Sequence, residues 1–205
     1  MYKNIVDLHV HTDNSFDGNH SATFFCEQAE FMDLRAVAFT DHCEVDQFVG
    51  DPTYEKRIFQ AFFEIAKVRS AFRGKLLVLN GIELGQPSYD IETANKIINS
   101  HDYDQILGSV HNLRGGEDFY FMENLTLDEA EKLLKEYFDA LIEMQQNPRY
   151  IDAIRTWHAV FTIVTWNKRI AHKLLGGRIQ KIHIVLGQRF QRRIGFDVLL
   201  QVFHV

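Results

Sequence analysis

Residues 36–42 read AVAFTDH, and this short stretch indicates the fold most directly. Four uninterrupted apolar residues are typical of a strand that is buried on both faces, as in a parallel sheet. Thr40, Asp41 and His42 follow at once, where such a strand would end. Four further short runs that are rich in apolar residues are also predicted as strands, at residues 5–8, 76–79, 105–110 and 151–154.

Helical patterns separate these runs. Residues 23–34 and 54–72 carry apolar side chains at helical spacing, and residues 92–99 can form a shorter helix. Thr126 and Glu129 form a capping box for a helix that runs to about Met144. In residues 54–72 the predicted inner stripe consists of Ile58, Phe62, Ile65, Ala66 and Val68. Strands that alternate with helices predict an α/β fold with a parallel sheet or barrel.

The composition is that of an ordinary globular domain. The 205 residues are 46% hydrophobic and 24% charged, with a formal net charge of −6, which excludes an intrinsically disordered chain. No apolar run reaches the length of about 18 residues that predicts a membrane span. The N-terminus lacks the features of a secretory signal, and Cys26 and Cys43 are too few for a disulfide framework. We therefore expect a cytoplasmic protein.

Side chains of the metal-ligating type stand at the ends of the predicted strands. In a β/α fold the carboxyl ends of the strands converge on one face, so these side chains should meet there. His9 and His11 are two residues apart, so a strand that continues through them would point both rings to the same face. The residues at the four successive strand ends are His9, His11, Asp41, His42, Glu83 and His111. Their repetition predicts a metal site.

This mixture of histidine and carboxylate suits Zn²⁺, Mn²⁺ or Fe²⁺ better than Mg²⁺ or Ca²⁺, which prefer oxygen ligands. A carboxylate such as Glu83 has two oxygens and can bridge two ions. Clustered divalent ions activate water and neutralise phosphoryl oxygens, which is what hydrolysis of a phosphate ester requires. No side-chain nucleophile is predicted for the reaction.

Five short motifs stand in order within residues 1–150, namely DLHVHT (7–12), SFDG (15–18), FTDH (39–42), GIE (81–83) and GSVH (108–111). Together they resemble the motifs of the polymerase-and-histidinol-phosphatase (PHP) superfamily, and above all those of the monofunctional bacterial histidinol-phosphatases. The resemblance implies a distorted (β/α)7 barrel, with up to three metal ions in a cleft at the carboxyl ends of its strands. It also implies hydrolysis of a small phosphate ester, L-histidinol phosphate, in histidine biosynthesis, with no nucleic-acid or membrane partner.

The resemblance also implies roles for single residues. His9 and His11 resemble the pair of ligands on the first ion, and Glu83 resembles the carboxylate that bridges two ions. His111 resembles a ligand of the second ion.

Four more residues receive expected roles in the same way. Asp17 and His42 occupy the places of ligands to a third ion, although Asp17 could instead cap a helix or belong to a turn. Asp7 and Asp41 precede ligand histidines and are expected to orient them as hydrogen-bond acceptors.

The pattern of the family fails after about residue 150. The expected fifth-strand histidine and the later Asp-x-His motif are absent, and His158 is displaced by two residues from the expected position. Residues 149–205 hold ten Lys and Arg but only two acids, Asp152 and Asp197. We therefore expect an incomplete barrel of four to five β/α units in residues 1–154. Residues 155–205 are interpreted as an atypical basic tail that is read out of frame or truncated.

Two other functions remain open on the sequence alone. The chain could hydrolyse nucleotides or another small phosphate ester, or it could bind metal without turnover because its set of ligands is incomplete. Arg114 could contact a phosphate group or lie on the surface. A role of the basic tail in nucleic-acid binding is disfavoured by its many Ile, Val, Leu and Phe residues.

Overall fold

The part of the chain that the structure describes contains six β-strands and five α-helices, and a helix stands between most successive strands. The computed structural model describes residues 5–123 and 125–146 and the backbone of residues 153–154. The predicted tail at 155–205, with His158, lies outside these residues. The strands are β1 (Val6–Val10), β2 (Ala36–Phe39), β3 (His42–Glu44), β4 (Leu77–Gly85), β5 (Gln105–Ser109) and β6 (Ala153–Ile154). The helices are α1 (Ala22–Phe31), α2 (Val45–Phe48), α3 (Thr53–Ala71), α4 (Ile91–Ile98) and α5 (Leu127–Gln145), with a 3₁₀ turn at Phe119–Phe121.

All the strand pairs are parallel, in the order β1-β2-β4-β5-β6, and β3 pairs with β4 beside this path. Strand β4 is long enough to pair with two different strands along the same edge. Its first half, from Leu77 to Asn80, pairs with β2, and its second half, from Glu83 to Gly85, pairs with β3. This arrangement confirms the predicted α/β class, and the described strands form part of a β/α barrel.

The long helices form where the sequence predicts them, and for the expected physical reasons. Helix α5 begins with a complete capping box, in which Thr126 and Glu129 satisfy each other's backbone amides. Helix α3 buries Tyr54, Ala61, Ile65 and Val68. The predicted inner stripe is therefore wrong at Ala66, which is exposed, because the observed stripe runs through Ala61 at the spacing of three and four residues.

The hydrophobic core has three main parts in the described residues, and one of them lies where α2 and α4 pack around β3 and the second half of β4. Helices α1 and α3 cover β2 and the first half of β4, where Phe39 and Ile65 are almost fully buried. Helix α5 packs its Tyr137 against Phe119, with the ring planes nearly perpendicular. These layers fix the strands whose carboxyl ends carry the polar side chains. Among the described residues, no helix combines the length and apolar character needed to cross a membrane.

The second half of the sheet differs from the prediction. The strand predicted at 76–79 continues to Gly85, so Glu83 lies within β4 and not after its end. The three-residue strand β3, which begins at His42, was not predicted at all. Both differences have one cause, because the extended part of β4 is the partner of β3.

Candidate metal centre

The four histidines and Glu83 are brought together by five different parts of the fold. His9 lies in β1, and His11 is the first residue after that strand. His42 begins β3. Glu83 lies in the second half of β4, and His111 is two residues past the end of β5. The carboxyl ends of parallel strands lie on one edge, which explains how residues up to 102 positions apart in sequence come into contact.

Glu83 occupies the centre of this cluster. Its side chain is fully buried, with 0% of its surface exposed, and all four rings direct Nε2 toward its carboxylate. The Nε2 atoms of His9, His11 and His42 lie 3.4, 2.9 and 3.8 Å from Glu83 Oε2. On the other oxygen, His111 Nε2 lies 3.0 Å from Oε1. A buried carboxylate that is reached from both sides in this way is well placed to bridge two cations.

The opposite nitrogen of each ring, Nδ1, faces an oxygen atom at the outside of the cluster. The Nδ1 atom of His9 lies 2.8 Å from the Thr40 hydroxyl. The Nδ1 atom of His11 lies 2.9 Å from Asp17. The other two Nδ1 atoms share a further acid, Glu44, as described below. A carboxylate in this position favours the form of the ring that carries its hydrogen on Nδ1 and leaves the Nε2 lone pair for a metal ion, whereas the Thr40 hydroxyl can donate or accept.

Asp17 reaches the cluster from the loop before α1. Its Oδ2 atom lies 2.9 Å from His11 Nδ1 and 3.4 Å from His42 Nε2. Its side chain remains 43% exposed, so it lies at the open side of the site. It does not cap α1, because Ser21 is the residue whose side chain accepts the amide of Phe24.

Three groups of side chains could each hold a metal ion, since within each group the ligand atoms lie within 4.8 Å of one another. The groups share members, so they form one continuous centre. They are His9–His11–Glu83, His11–Asp17–His42 and His42–Glu83–His111. Imidazole nitrogens and carboxylate oxygens together suit Zn²⁺, Mn²⁺ or Fe²⁺, so these residues fit the type of metal that the sequence predicts.

The electrostatics of the protein without metal follow from this crowding. Burial alone would raise the pKa of Glu83, but hydrogen bonds from His11 and His111 and the charge of His42 lower it well below its ordinary value. Burial would lower the pKa of His42, yet Asp17, Glu44 and the charge of Glu83 raise it to about 9. The carboxylates therefore hold protons on the rings, and a metal ion must displace those protons when it binds.

Glu44 is the member of the cluster that sequence reasoning missed. It is 5% exposed and lies at the end of β3, where it contacts both His42 and His111. Burial would raise its pKa, but the charges and hydrogen bonds of these two histidines lower it to about 2. The available signal was its position two residues after His42, which is the same spacing that places His9 and His11 on one face.

The hydrogen bonds of Asp41 and Asp7 correct their predicted roles. Asp41 accepts hydrogen bonds from the backbone amide and the hydroxyl of Thr12, and Asp7 accepts one from the backbone amide of His9. Both acids therefore hold the backbone beside the ligands and do not orient the rings, because the Nδ1 atoms face other oxygen atoms.

Arg114 does not face the cluster. Its guanidinium group donates to the backbone oxygens of Ser88 and Tyr89 and to the carboxylate of Glu143. These bonds tie the segment after β5 to α5, and the side chain is about half exposed, which agrees with the alternative that Arg114 lies on the surface.

Comparison with known proteins gives a consistent result. A family model described as the PHP domain matches residues 7–171, a range that extends past the predicted boundary at residue 154. The histidinol-phosphatase of Lactococcus lactis is 24% identical over 142 residues, which are 69% of this chain and 52% of that protein. The probable histidinol-phosphatase of Clostridium acetobutylicum is 28% identical over 152 residues, which are 73% of this chain and 56% of that protein.

The fold also resembles a solved structure. The crystal structure of histidinol phosphate phosphatase from Lactococcus lactis, complexed with zinc, L-histidinol and phosphate, superposes with a TM-score of 0.59 and 23% sequence identity. The superposition covers 78% of this chain and 60% of that one. The chain thus spans between half and three-fifths of the length of these relatives.

Proposed function

This chain belongs to the PHP domain family, and from that premise we propose that it is part of a metal-dependent phosphomonoesterase that hydrolyses L-histidinol phosphate to L-histidinol and phosphate. The observation that carries the proposal is the centre around Glu83, where four Nε2 atoms surround one fully buried carboxylate. The proposed metal ligands are His9, His11, Asp17, His42, Glu83 and His111.

The charge of the site supports this proposal. Glu83, Glu44 and Asp17 are three carboxylates within one cluster, and their pKa values are all lowered, so they remain ionised at neutral pH. In the metal-free protein the protonated rings of His42 and His111 offset these negative charges. Divalent ions that displace the ring protons would bring more positive charge than they remove, which suits a phosphate ester because it is itself an anion. We therefore propose that up to three ions of Zn²⁺, Mn²⁺ or Fe²⁺ bind to these residues, and that the phosphate ester binds only after the ions.

Bound divalent ions would supply the Lewis acidity that activates water and neutralises the phosphoryl group. The residues of the chain would do the rest. The rings direct their Nε2 atoms toward Glu83, while Thr40 contacts the Nδ1 atom of His9 and Glu44 contacts those of His42 and His111. The exposed side of Asp17 leaves the cluster open to a small substrate on that side.

The relatives support the choice of substrate. The proteins from Lactococcus lactis and Clostridium acetobutylicum are described as a histidinol-phosphatase and a probable one, and the Lactococcus structure holds zinc, L-histidinol and phosphate. We accordingly propose a small-molecule partner and a role in histidine biosynthesis. A cytoplasmic location, predicted from the cysteine content, belongs to the same proposal and agrees with two free, buried cysteines, Cys26 and Cys43.

The test is release of inorganic phosphate by the purified chain, loaded separately with Zn²⁺ and Mn²⁺. L-Histidinol phosphate is compared with a panel of nucleoside monophosphates, and the Glu83→Gln variant serves as the inactive control. Preferential hydrolysis of L-histidinol phosphate supports the proposal. Preference for a nucleotide indicates the alternative phosphoesterase, and bound metal without turnover indicates the metal-binding product that lacks a complete set of ligands.

A further inference from the structure

One carboxylate outside the proposed ligand set contacts two ligands that belong to different parts of the centre. Glu44 Oε1 lies 3.0 Å from His42 Nδ1 and 3.0 Å from His111 Nδ1, and its second oxygen lies 3.1 Å from the same atom of His111. His42 comes from β3 and His111 from the segment after β5, so Glu44 joins two elements that are not adjacent in the sheet.

The surroundings of Glu44 show that its place is built into the fold. Only 5% of the residue is exposed, and burying a carboxylate is costly unless it is paired. Its neighbour in the sheet is Gly85, which stands opposite in the parallel pairing of β3 with β4. A Cβ atom at Gly85 would lie 1.9 Å from Glu44 Oε2 and 2.6 Å from its Cδ. A side chain at position 85 would therefore displace the carboxylate, and the glycine leaves room for it.

The two rings use their nitrogens in the same way. His111 directs Nε2 toward Glu83, and His42 directs Nε2 toward Asp17 and Glu83, while each turns Nδ1 to Glu44. A carboxylate has no proton of its own to donate, so it favours the form of each ring in which Nδ1 carries the hydrogen. The lone pair is then on Nε2, which is the atom that faces the proposed metal positions.

We propose that Glu44 is a positioning residue that fixes His42 and His111 together and so couples two of the proposed ion positions, those of His11–Asp17–His42 and His42–Glu83–His111. This inference rests on the proposed metal centre and adds to it a link between ions. The third group, His9–His11–Glu83, contains neither ring and is positioned by other contacts, so Glu44 has a selective effect and not a general one.

The first test measures Zn²⁺ binding by competition with a chromophoric chelator in the wild type, Glu44→Ala and Glu44→Gln. Loss of a carboxylate that orients a ligand typically costs about 10- to 100-fold in metal affinity. We expect a loss of this size in Glu44→Ala for the ions that His42 and His111 hold, while one ion remains bound tightly. Glu44→Gln keeps an acceptor oxygen and should recover part of the loss. Glu64→Gln is the matched control, because it makes the same chemical change at a partly buried acid that contacts Asn14 and Gln60.

The second measurement separates positioning from folding. Imidazole ¹⁵N spectra of the Zn²⁺-loaded protein should show Nδ1 protonated and Nε2 bound to metal in His42 and His111. In Glu44→Ala these signals should change, while that of His9, which belongs only to the third group, keeps the wild-type pattern. A general loss of structure would instead change all four rings.

Gly85 provides an independent variant that leaves every charge in place. Gly85→Ala should displace the Glu44 carboxylate and lower the Zn²⁺ affinity at the same positions as Glu44→Ala does. The double variant should bind Zn²⁺ no more weakly than Glu44→Ala alone, because the atoms nearest to the new Cβ are those of Glu44. Additive losses in the double variant would overturn the proposed mechanism.

Equal Zn²⁺ affinity in wild type and Glu44→Ala, or an equal loss at all positions, would overturn the inference. The proposed function fails in a different way. If the wild type binds Zn²⁺ with the expected dependence on Glu44 but does not hydrolyse L-histidinol phosphate, the coupling stands and the substrate assignment falls.

Discussion

The carboxylate of Asp41 accepts hydrogen bonds from both the backbone amide and the hydroxyl of Thr12, at 2.6 and 2.8 Å. Thr12 directly follows His11, and Asp41 directly precedes His42. The pair therefore ties the segment after β1 to the segment between β2 and β3, next to two of the proposed ligands. Both residues are buried, so water cannot replace these bonds without opening the structure.

Asp41→Ala should destabilise the protein by about 3 kcal/mol, because it leaves a buried amide and a buried hydroxyl without their acceptor. Urea denaturation followed by circular dichroism measures this change. Zn²⁺ affinity should fall as well, since the segment that carries His11 loses its anchor.

Thr12→Ser is the control for this prediction, because serine retains both the amide and the hydroxyl that Asp41 accepts. Its stability should remain much closer to that of the wild type. A similar loss in both variants would show that packing of the Thr12 methyl group, and not the hydrogen bonds, stabilises this junction.

Glu83→Gln should retain the fold and lose metal. The substitution preserves the shape of the side chain but removes the charge that four Nε2 atoms surround. We expect a loss of Zn²⁺ affinity of more than the roughly 100-fold that removal of a merely orienting residue can cost. Metal content after gel filtration, measured by mass spectrometry, gives the result, and circular dichroism checks the fold.

The matched comparison is again Glu64→Gln, which should bind as much Zn²⁺ as the wild type. Wild-type metal content in Glu83→Gln would contradict the central position assigned to this carboxylate. Removal of metal by a chelator should lower the melting temperature of the wild type and have little effect on Glu83→Gln, because a ligand stabilises only the state that binds it.

Much of this arrangement could be predicted from the sequence because the strong signals are local. Strand β2 has the predicted bounds, and α3 and α5 lie within one or two residues of the predicted ones, since apolar spacing and a capping box act over a few residues. The meeting of His9, His11 and Glu83 followed from the rule that parallel strands end on one edge.

Strand β3 and Glu44 could not be predicted in this way. A strand of three residues is too short to show a periodicity, and it forms because β4 continues past the region that β2 covers. An acid in such a segment is normally a solvated surface residue. Its burial depends on contacts with His111, 67 positions away, and on the space at Gly85, neither of which is a local property.

The capping box of α5 offers a test of a purely local prediction. Thr126→Ala should cost about 1 kcal/mol of stability, because the amide of Glu129 loses its acceptor at the helix N-terminus. Thr126→Ser should restore most of it. Urea titrations of the three proteins measure the difference, and an equal stability for Ala and Ser at this position would show that the cap contributes nothing.

Stability of the metal-free protein should depend on pH through the histidine cluster. Burial lowers the pKa of His42, but hydrogen bonds with Asp17 and Glu44 and the charge of Glu83 raise it from 6.5 to about 9 in the folded state. The pKa values of His11 and His111 are raised as well. A group whose pKa is higher in the folded than in the unfolded state stabilises the fold fully below the unfolded value. That contribution is lost as the pH rises toward the folded value.

The metal-free protein should therefore lose stability between pH 6.5 and 8.5. Zn²⁺ binds the neutral rings, so the stabilisation that it adds should increase over the same interval as fewer protons have to be displaced. Urea denaturation of chelator-treated and Zn²⁺-loaded protein at the two pH values measures both effects.

The variant His20→Gln is the control, because His20 is exposed, stacks on Phe24 and lies outside the three groups of ligands. Its pH dependence should equal that of the wild type, whereas His42→Gln should flatten the curve of the metal-free protein. A metal-free wild type that becomes more stable as the pH rises would show that its rings are already neutral, and the carboxylates would then not control their protonation.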